Sequence, residues 1–103
     1  MANRADLDRE LRRVSGYSNV YYQPDVNVRL TYPCIIYQLV NPYVLHASDE
    51  VYLYRRHYNI TVIHDDPDDT TAEKLVMTFK YCSHSGPRFI NDNLYHEPLT
   101  IFY

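Results

Sequence analysis

The sequence is poor in glycine, with two residues in 103, and has no tryptophan. So few glycines exclude a Gly-rich phosphate loop, a collagen-like repeat and a flexible Gly/Ser linker. Only two cysteines, Cys34 and Cys82, are present, far apart in the chain. Two cysteines do not make a disulfide scaffold, so both are expected as reduced core residues. Lysine is almost absent, with two residues against eight arginines. No apolar run approaches the roughly 18 residues of a membrane-spanning helix, and Met1–Asp6 lacks the apolar segment of a signal peptide. The acids and bases leave a formal charge of −3, spread as +1 over residues 1–31, zero over 32–64 and −4 over 65–103. There is therefore no basic stripe of the kind that grips a phosphate backbone.

What the chain does have is tyrosine, twelve of them with three phenylalanines. Leu, Ile, Val and Phe make up about a quarter of the residues, too many for intrinsic disorder. The length fits one domain, residues 1–103, with a thin core. A compact monomer of this mass exposes roughly 6,100 Å². Tyr and Arg are the side chains most used as anchors in protein interfaces. Tyr37, Tyr58 and Tyr81 are expected in strands of a core sheet. Tyr21, Tyr22, Tyr43, Tyr52 and Tyr54 fall on short, loop or projecting segments with little to cover them.

The order of elements predicts an α+β fold, α-β-β-β-α-β-β, with a mixed or antiparallel sheet of about five strands and two helices packed on it. Leu7, Leu11 and Val14 share one face of a helix over residues 5–14, with Gly16 as its stop. Residues 19–23 read as a short strand, and residues 24–33, bounded by Pro24 and Pro33, as a loop. Residues 34–40 are apolar on both faces, as in an interior strand, and Asn41-Pro42 is expected to break it. Residues 43–50 then read as a loop. Residues 51–64 form the clearest strand, its even face apolar from Tyr58 onward. At about 3.3 Å per residue it spans some 45 Å, more than a domain this small needs, so its first half is expected to project as a β-arm. After the run Asp65, Asp66, Asp68 and Asp69, Thr70 and Glu73 match a capping box for a helix over 71–80. Residues 81–90 and 94–103 close the sheet as a strand pair about the turn Asn91-Asp92-Asn93.

Chemistry-bearing patterns are few. The acidic run lacks the spacing and glycine of an EF-hand, and four acids before a helix suit its capping and dipole. A subunit contact from this run to Arg55, Arg56 or Arg88 is the stronger reading. Cys82, His84, Cys34 and His64 lack the paired spacings of a zinc site. No serine sits in a nucleophile elbow and the five histidines are scattered, so neither catalysis nor a cofactor is expected. Tyr52, Tyr54 and Tyr58 flank Arg55 and Arg56, an arrangement able to stack single-stranded bases if a basic groove accompanied it. Two rival readings stay open: a small nucleic-acid-binding module on strand 51–64, and a metal-dependent enzyme at Asp65–Asp69 with His64.

Tyr32-Pro33-Cys34-Ile35-Ile36-Tyr37, Tyr52-Leu53-Tyr54 and the run from Tyr58 to Asp68 resemble the small tail-completion, or tail-terminator, proteins of long-tailed bacteriophages. The similarity runs over nearly the whole chain, from the N-terminal helix through Val-Tyr-Tyr-Gln-Pro to Asp92-Asn93-Leu94-Tyr95-His96. It rests on structural stretches and contains no catalytic signature. The resemblance implies a structural virion protein of the phage neck, assembled in the bacterial host cytoplasm. It implies a homo-oligomeric, hexameric ring on the last tail-tube ring that ends tube growth and joins the tail to the head-completion or connector protein. DNA would pass through the lumen without specific binding, and no membrane is involved. The residues expected at subunit interfaces are Tyr43, Tyr52, Tyr54, Arg55, Arg56, Asp66 and Asp69.

Overall fold

A computed structural model describes residues 3–47 and 50–103, with side chains described for residues 3–40 and 56–103. The elements are α1 (Arg4–Ser15), β1 (Val20–Tyr22), β2 (Cys34–Ala47), β3 (Glu50–His64), α2 (Thr71–Thr78), β4 (Cys82–His84), β5 (Phe89–Asn91) and β6 (Leu94–Phe102). The class is α+β, in the order the sequence predicts. The stretch 81–90 yields two short strands on either side of Gly86-Pro87, making six strands in all.

Both ends of α1 are set locally. Asn3 and Asp6 form a reciprocal capping box, and Gly16 ends the helix in the left-handed conformation at φ 74°. Leu7 and Leu11 are fully buried, while Arg9, Arg12 and Arg13 pair with Asp6, Asp8 and Glu10 along the outer face. α2 is capped differently from expectation. Thr70 makes no side-chain cap bond. Instead Asp69 Oδ1 accepts from the Thr71 amide at 2.7 Å, so the residue one position earlier supplies the oxygen.

The sheet runs β1-β2-β3-β6-β4, with β5 also on β6. β1 is parallel to β2, and the other pairings are antiparallel. β4 and β5 share the outer edge of β6, one at each end. A two-residue turn with Asp92 at φ 53° and Asn93 at φ 62° closes β5 onto β6, the left-handed pair that a tight hairpin requires. Both helices cover one face, where Ile35, Tyr37, Tyr58, Ile60, Val62, Leu99 and Ile101 join Leu7, Leu11 and Leu75 in the core. This confirms the even face of strand 51–64 as the inner one from Tyr58 on.

Two expectations about β2 are corrected. Asn41-Pro42 does not break the strand, and 43–47 is not loop: β2 continues to Ala47, paired with β3 throughout. Proline is tolerated because the register shifts between Leu39 and Pro42, an extra residue on β2 absorbing it. Among the described residues, the opposite edge of β2 has no paired strand beyond Tyr37, so the missing amide disrupts no second ladder there. A second shift lies between Leu45 and His46, where Tyr52 is the extra residue on β3.

β3 is flanked on both sides only from His57 to His64, where β6 joins it. From Glu50 to Arg56 it pairs with β2 alone, apart from the exchange of both backbone bonds between Arg56 and Tyr103 at 3.2 and 2.8 Å. This two-stranded hairpin gives the molecule its 50 Å long axis against 28 and 23 Å across. The radius of gyration, 14.5 Å, exceeds the roughly 13 Å of a compact chain this long.

The tyrosines sort differently from expectation in two places. Tyr81 is not in a strand but in the turn before β4, 39% exposed. Tyr22 packs on the core, its ring 5.0 Å from that of Tyr37 and 4.9 Å beneath the Arg4 guanidinium. The fully buried Tyr37 keeps its hydroxyl satisfied by donating to Asp8 Oδ2 at 2.6 Å and accepting from Arg4 at 3.2 Å.

Cys34 and Cys82 are buried and free, with two strands between them. Burial pushes both thiols up to about 11, well above the ordinary range. At pH 8 the folded protein should therefore resist iodoacetamide, and both thiols should react at the ordinary rate in denaturant. Fast labelling of the native state, read by mass, would contradict this burial.

Candidate functional site

Two places combine chemistry with position: the projecting hairpin and a polar cluster at the opposite end of β3. On the hairpin, Tyr43 registers opposite Arg55, Val44 opposite Tyr54 and Pro42 opposite Arg56. The backbone thus gathers Tyr43, Tyr52, Tyr54, Arg55 and Arg56 on one ribbon, as expected from the overlong strand. The side chains of Tyr43, Tyr52, Tyr54 and Arg55 lie outside those described. Arg56, half-buried, sits at the ribbon's base beside Tyr103.

The second cluster joins His64 and Asp69, which the sequence groups together, to Glu97, Arg88 and Tyr17, which it does not. β3 ends at His64, on the inner face and 1% exposed. The antiparallel register sets β6 alongside, so Glu97 reaches the same pocket. His64 Nε2 lies 2.6 Å from Glu97 Oε2, and His64 Nδ1 accepts from the Asp66 amide at 3.2 Å. Because Nδ1 is an acceptor, the ring proton resides on Nε2 and is donated to Glu97. The other carboxylate oxygen of Glu97 takes Arg88 Nε at 3.1 Å and a terminal nitrogen at 3.0 Å. Arg88 also lies 5.2 Å over the Tyr95 ring, which stacks on His64 at 5.7 Å. Its Nη1 donates to the Pro67 carbonyl at 2.8 Å, and its Nη2, which pairs with Glu97, also donates to the Asp69 carbonyl at 3.4 Å.

Asp69 completes the cluster. Its Oδ2 accepts from Tyr17 at 2.8 Å, and Tyr17 in turn accepts from Thr71 Oγ1 at 3.2 Å. Burial alone lifts the Asp69 carboxyl, but hydrogen bonds from Thr71 and Tyr17 outweigh it and hold the group below the usual carboxylate value. Burial, with Asp69 adjacent, raises the Tyr17 phenol well above its ordinary range. Both oxygens of Asp69 are thus engaged within the chain. Asp66 likewise uses Oδ1 on the Asp68 amide at 2.9 Å and its own amide on His64. Arg88 does meet the acidic run, but inside the same chain and through carbonyls rather than carboxylates.

His64, Asp69 and Glu97 bring one ligand-type atom each within 4.8 Å of one another. Each of the three is already hydrogen-bonded within the chain, to Arg88, Tyr17, Thr71, the Asp66 amide or one another, and the Arg88 guanidinium offsets the Glu97 charge. The arrangement does structural work: it fastens the 65–70 loop to β6, to the segment before β5 and to Tyr17, just beyond the Gly16 cap of α1. Among the described residues, no helix is long and apolar enough to cross a membrane. Compared with known proteins, the chain matches no protein-family model and no curated protein.

Only half of this cluster is visible in sequence. His64 at the end of an apolar face and Asp69 before a helix are local signals, whereas Glu97 and Arg88 join them through tertiary pairing alone. Glu97→Gln places an amide N–H against the His64 proton or weakens the hold on Arg88. It should lower unfolding stability by about 2–3 kcal/mol in urea titration, and a loss under about 0.5 kcal/mol would contradict the network. The depressed Asp69 carboxyl adds stability that is present above its unfolded value near 3.9 and lost as pH falls through its lower folded value. The unfolding midpoint should drop below about pH 4, and Asp69→Asn should flatten that drop. An unchanged acid profile in the variant would count against the assignment.

Proposed function

We propose that this chain is a structural virion protein of the phage neck. Copies form a ring that caps the tail tube, ends its polymerisation and joins the tail to the head connector, without catalysis. The observation that carries the reading is the two-stranded hairpin built from Pro42–Ala47 and Glu50–Arg56, which extends past the stretch of β3 that β6 flanks. Such a ribbon leaves backbone donors and acceptors unpaired along its edges and is marginal alone in water. A neighbouring copy supplies the missing partners by strand addition. The tyrosine and arginine residues that the sequence concentrates on this ribbon are the types that anchor interfaces. The resemblance to tail-completion proteins supplies the setting, and a head-to-tail contact that closes into a ring supplies the capping mechanism. One face complements the tube end, and the other does not reproduce it, so growth stops.

Mass measurement on purified tail tubes of the particle that carries this protein tests the proposal. A single ring's worth per tube is expected. A copy number that scales with tube length, or absence from the particle, overturns it. Replacing Tyr54 and Arg56 together by Ala should leave the circular dichroism spectrum unchanged and weaken self-association by at least about tenfold in sedimentation. An unaltered oligomer would remove the hairpin from the contact.

A further inference from the structure

The stretch between β3 and α2 is held by hydrogen bonds rather than by packing. Asp65, Asp66, Pro67 and Asp68 are all exposed. Asp66 is the hub of the turn. Its carbonyl accepts from the Asp69 amide at 3.1 Å, and its Oδ1 accepts from the Asp68 amide at 2.9 Å. Its own amide donates to His64 Nδ1 at 3.2 Å, and that bond ties the hub to the body of the fold. The far end of the loop is fixed separately, by Arg88 on the Pro67 carbonyl and by Asp69 between Tyr17 and Thr71.

The anchor of that hub is a ring that can take a proton. His64 is buried, and its Nε2 proton is already given to Glu97. A further proton has only Nδ1 to occupy, and an imidazolium keeps no acceptor nitrogen. It would then meet the Asp66 N–H donor to donor. A new buried N–H without a partner is costly, so the Asp66 amide must move aside before water can reach it. The groups around the ring suit that proton. β6 supplies the Glu97 carboxylate and the Tyr95 ring stacked on His64. The segment before β5 supplies the Arg88 guanidinium, bound to Glu97. The loop supplies the Asp69 carboxylate, with an oxygen within 4.8 Å of His64 and Glu97, and the exposed Asp66 carboxylate on the Asp68 amide. The Tyr17 phenol, beyond α1, reaches the cluster through Asp69, and α2 contributes the uncharged Thr71. Two inward carboxylates, Glu97 and Asp69, thus stand against one guanidinium. Neutral His64 leaves one negative charge in excess, and the imidazolium cancels it.

We propose that His64 is a proton-operated catch for the 65–70 loop. Neutral, it holds the Asp66 amide, and the loop lies closed against the body. Protonated at Nδ1, it keeps Glu97 through Nε2, releases Asp66 and lets the Asp66 turn swing away from the ring. Proton and loop are then linked in both directions. Proton uptake opens the loop, and anything that holds the loop shut resists the proton. The catch lies within one chain and is independent of the ring reading.

NMR titration of the full-length chain from about pH 8 to about pH 4.5 tests this, a range that spans ordinary imidazole titration and leaves Asp69 ionised. The His64 Nδ1 nitrogen shift reads the ring, and hydrogen exchange at the Asp66 amide reads the loop. As the ring gains its proton, that exchange, corrected for its intrinsic pH dependence, should quicken at least about tenfold with the same midpoint. His64→Gln cannot titrate and should abolish the step. Should that variant fail to fold, the two wild-type midpoints decide alone. His57, His84 and His96 carry their own ring signals, and a loop step that follows one of them overturns the catch. A loop that stays closed while His64 protonates overturns it too, as does a His64 ring that stays neutral to the acid limit or a step that survives in His64→Gln.

Discussion

Everything in this fold depends on how much of β3 has a partner on each edge. A strand must satisfy backbone groups on both sides, and β3 does so only over the stretch where β6 runs beside it. There it carries the inner face of the core, with Tyr58, Ile60 and Val62 beneath the helices. Past Arg56 it has β2 alone, and the sheet narrows to a ribbon. The body is therefore a conventional half-covered sheet, and the extension is the part that a neighbour would cover in the proposed ring. The thin core and the extended ribbon follow from one mismatch in strand length.

The end of β3 opposite the ribbon is fixed as firmly as the ribbon is open. Glu97 between His64 and Arg88, with Asp69 between Tyr17 and Thr71, closes a polar network against the core. Polar groups gathered in a low-dielectric site are costly unless each has its partner, and here nearly every donor and acceptor is matched. Within the acidic run, Asp69 has both carboxylate oxygens engaged inside the chain, whereas Asp65, Asp66 and Asp68 are exposed.

Local signals were legible in the sequence and non-local ones were not. The spacing of Leu7, Leu11 and Val14, the stop at Gly16, the inner face from Tyr58 and the turn at Asp92-Asn93 each depend on a few neighbouring residues, and each is found. Asn41-Pro42 misled because proline breaks a strand only where its amide is needed, and a bulge on an edge without a second ladder removes that need. Thr70 matched a capping pattern that Asp69 filled, since both offer an oxygen near the same amides. The His64–Glu97–Arg88 cluster depends on the β3–β6 register, and no spacing in the chain encodes it. Tyr22 was misplaced for the same reason: the Tyr37 ring and the Arg4 guanidinium that cover it come from β2 and α1.

The twelve tyrosines divide between these two needs. Tyr37, Tyr58 and Tyr17 spend their rings on the core, and the hydroxyls of Tyr37 and Tyr17 bond the part-buried acids Asp8 and Asp69. Those on the ribbon sit where a single chain offers no third strand, which is consistent with the proposed ring. Electron cryo-microscopy of the neck of the particle that carries this protein tests the central claim most directly. The account predicts one closed ring at the head–tail joint, with each subunit's hairpin paired to its neighbour. Density that leaves the hairpins unpaired, or that places the protein along the tube or nowhere in the particle, would contradict it.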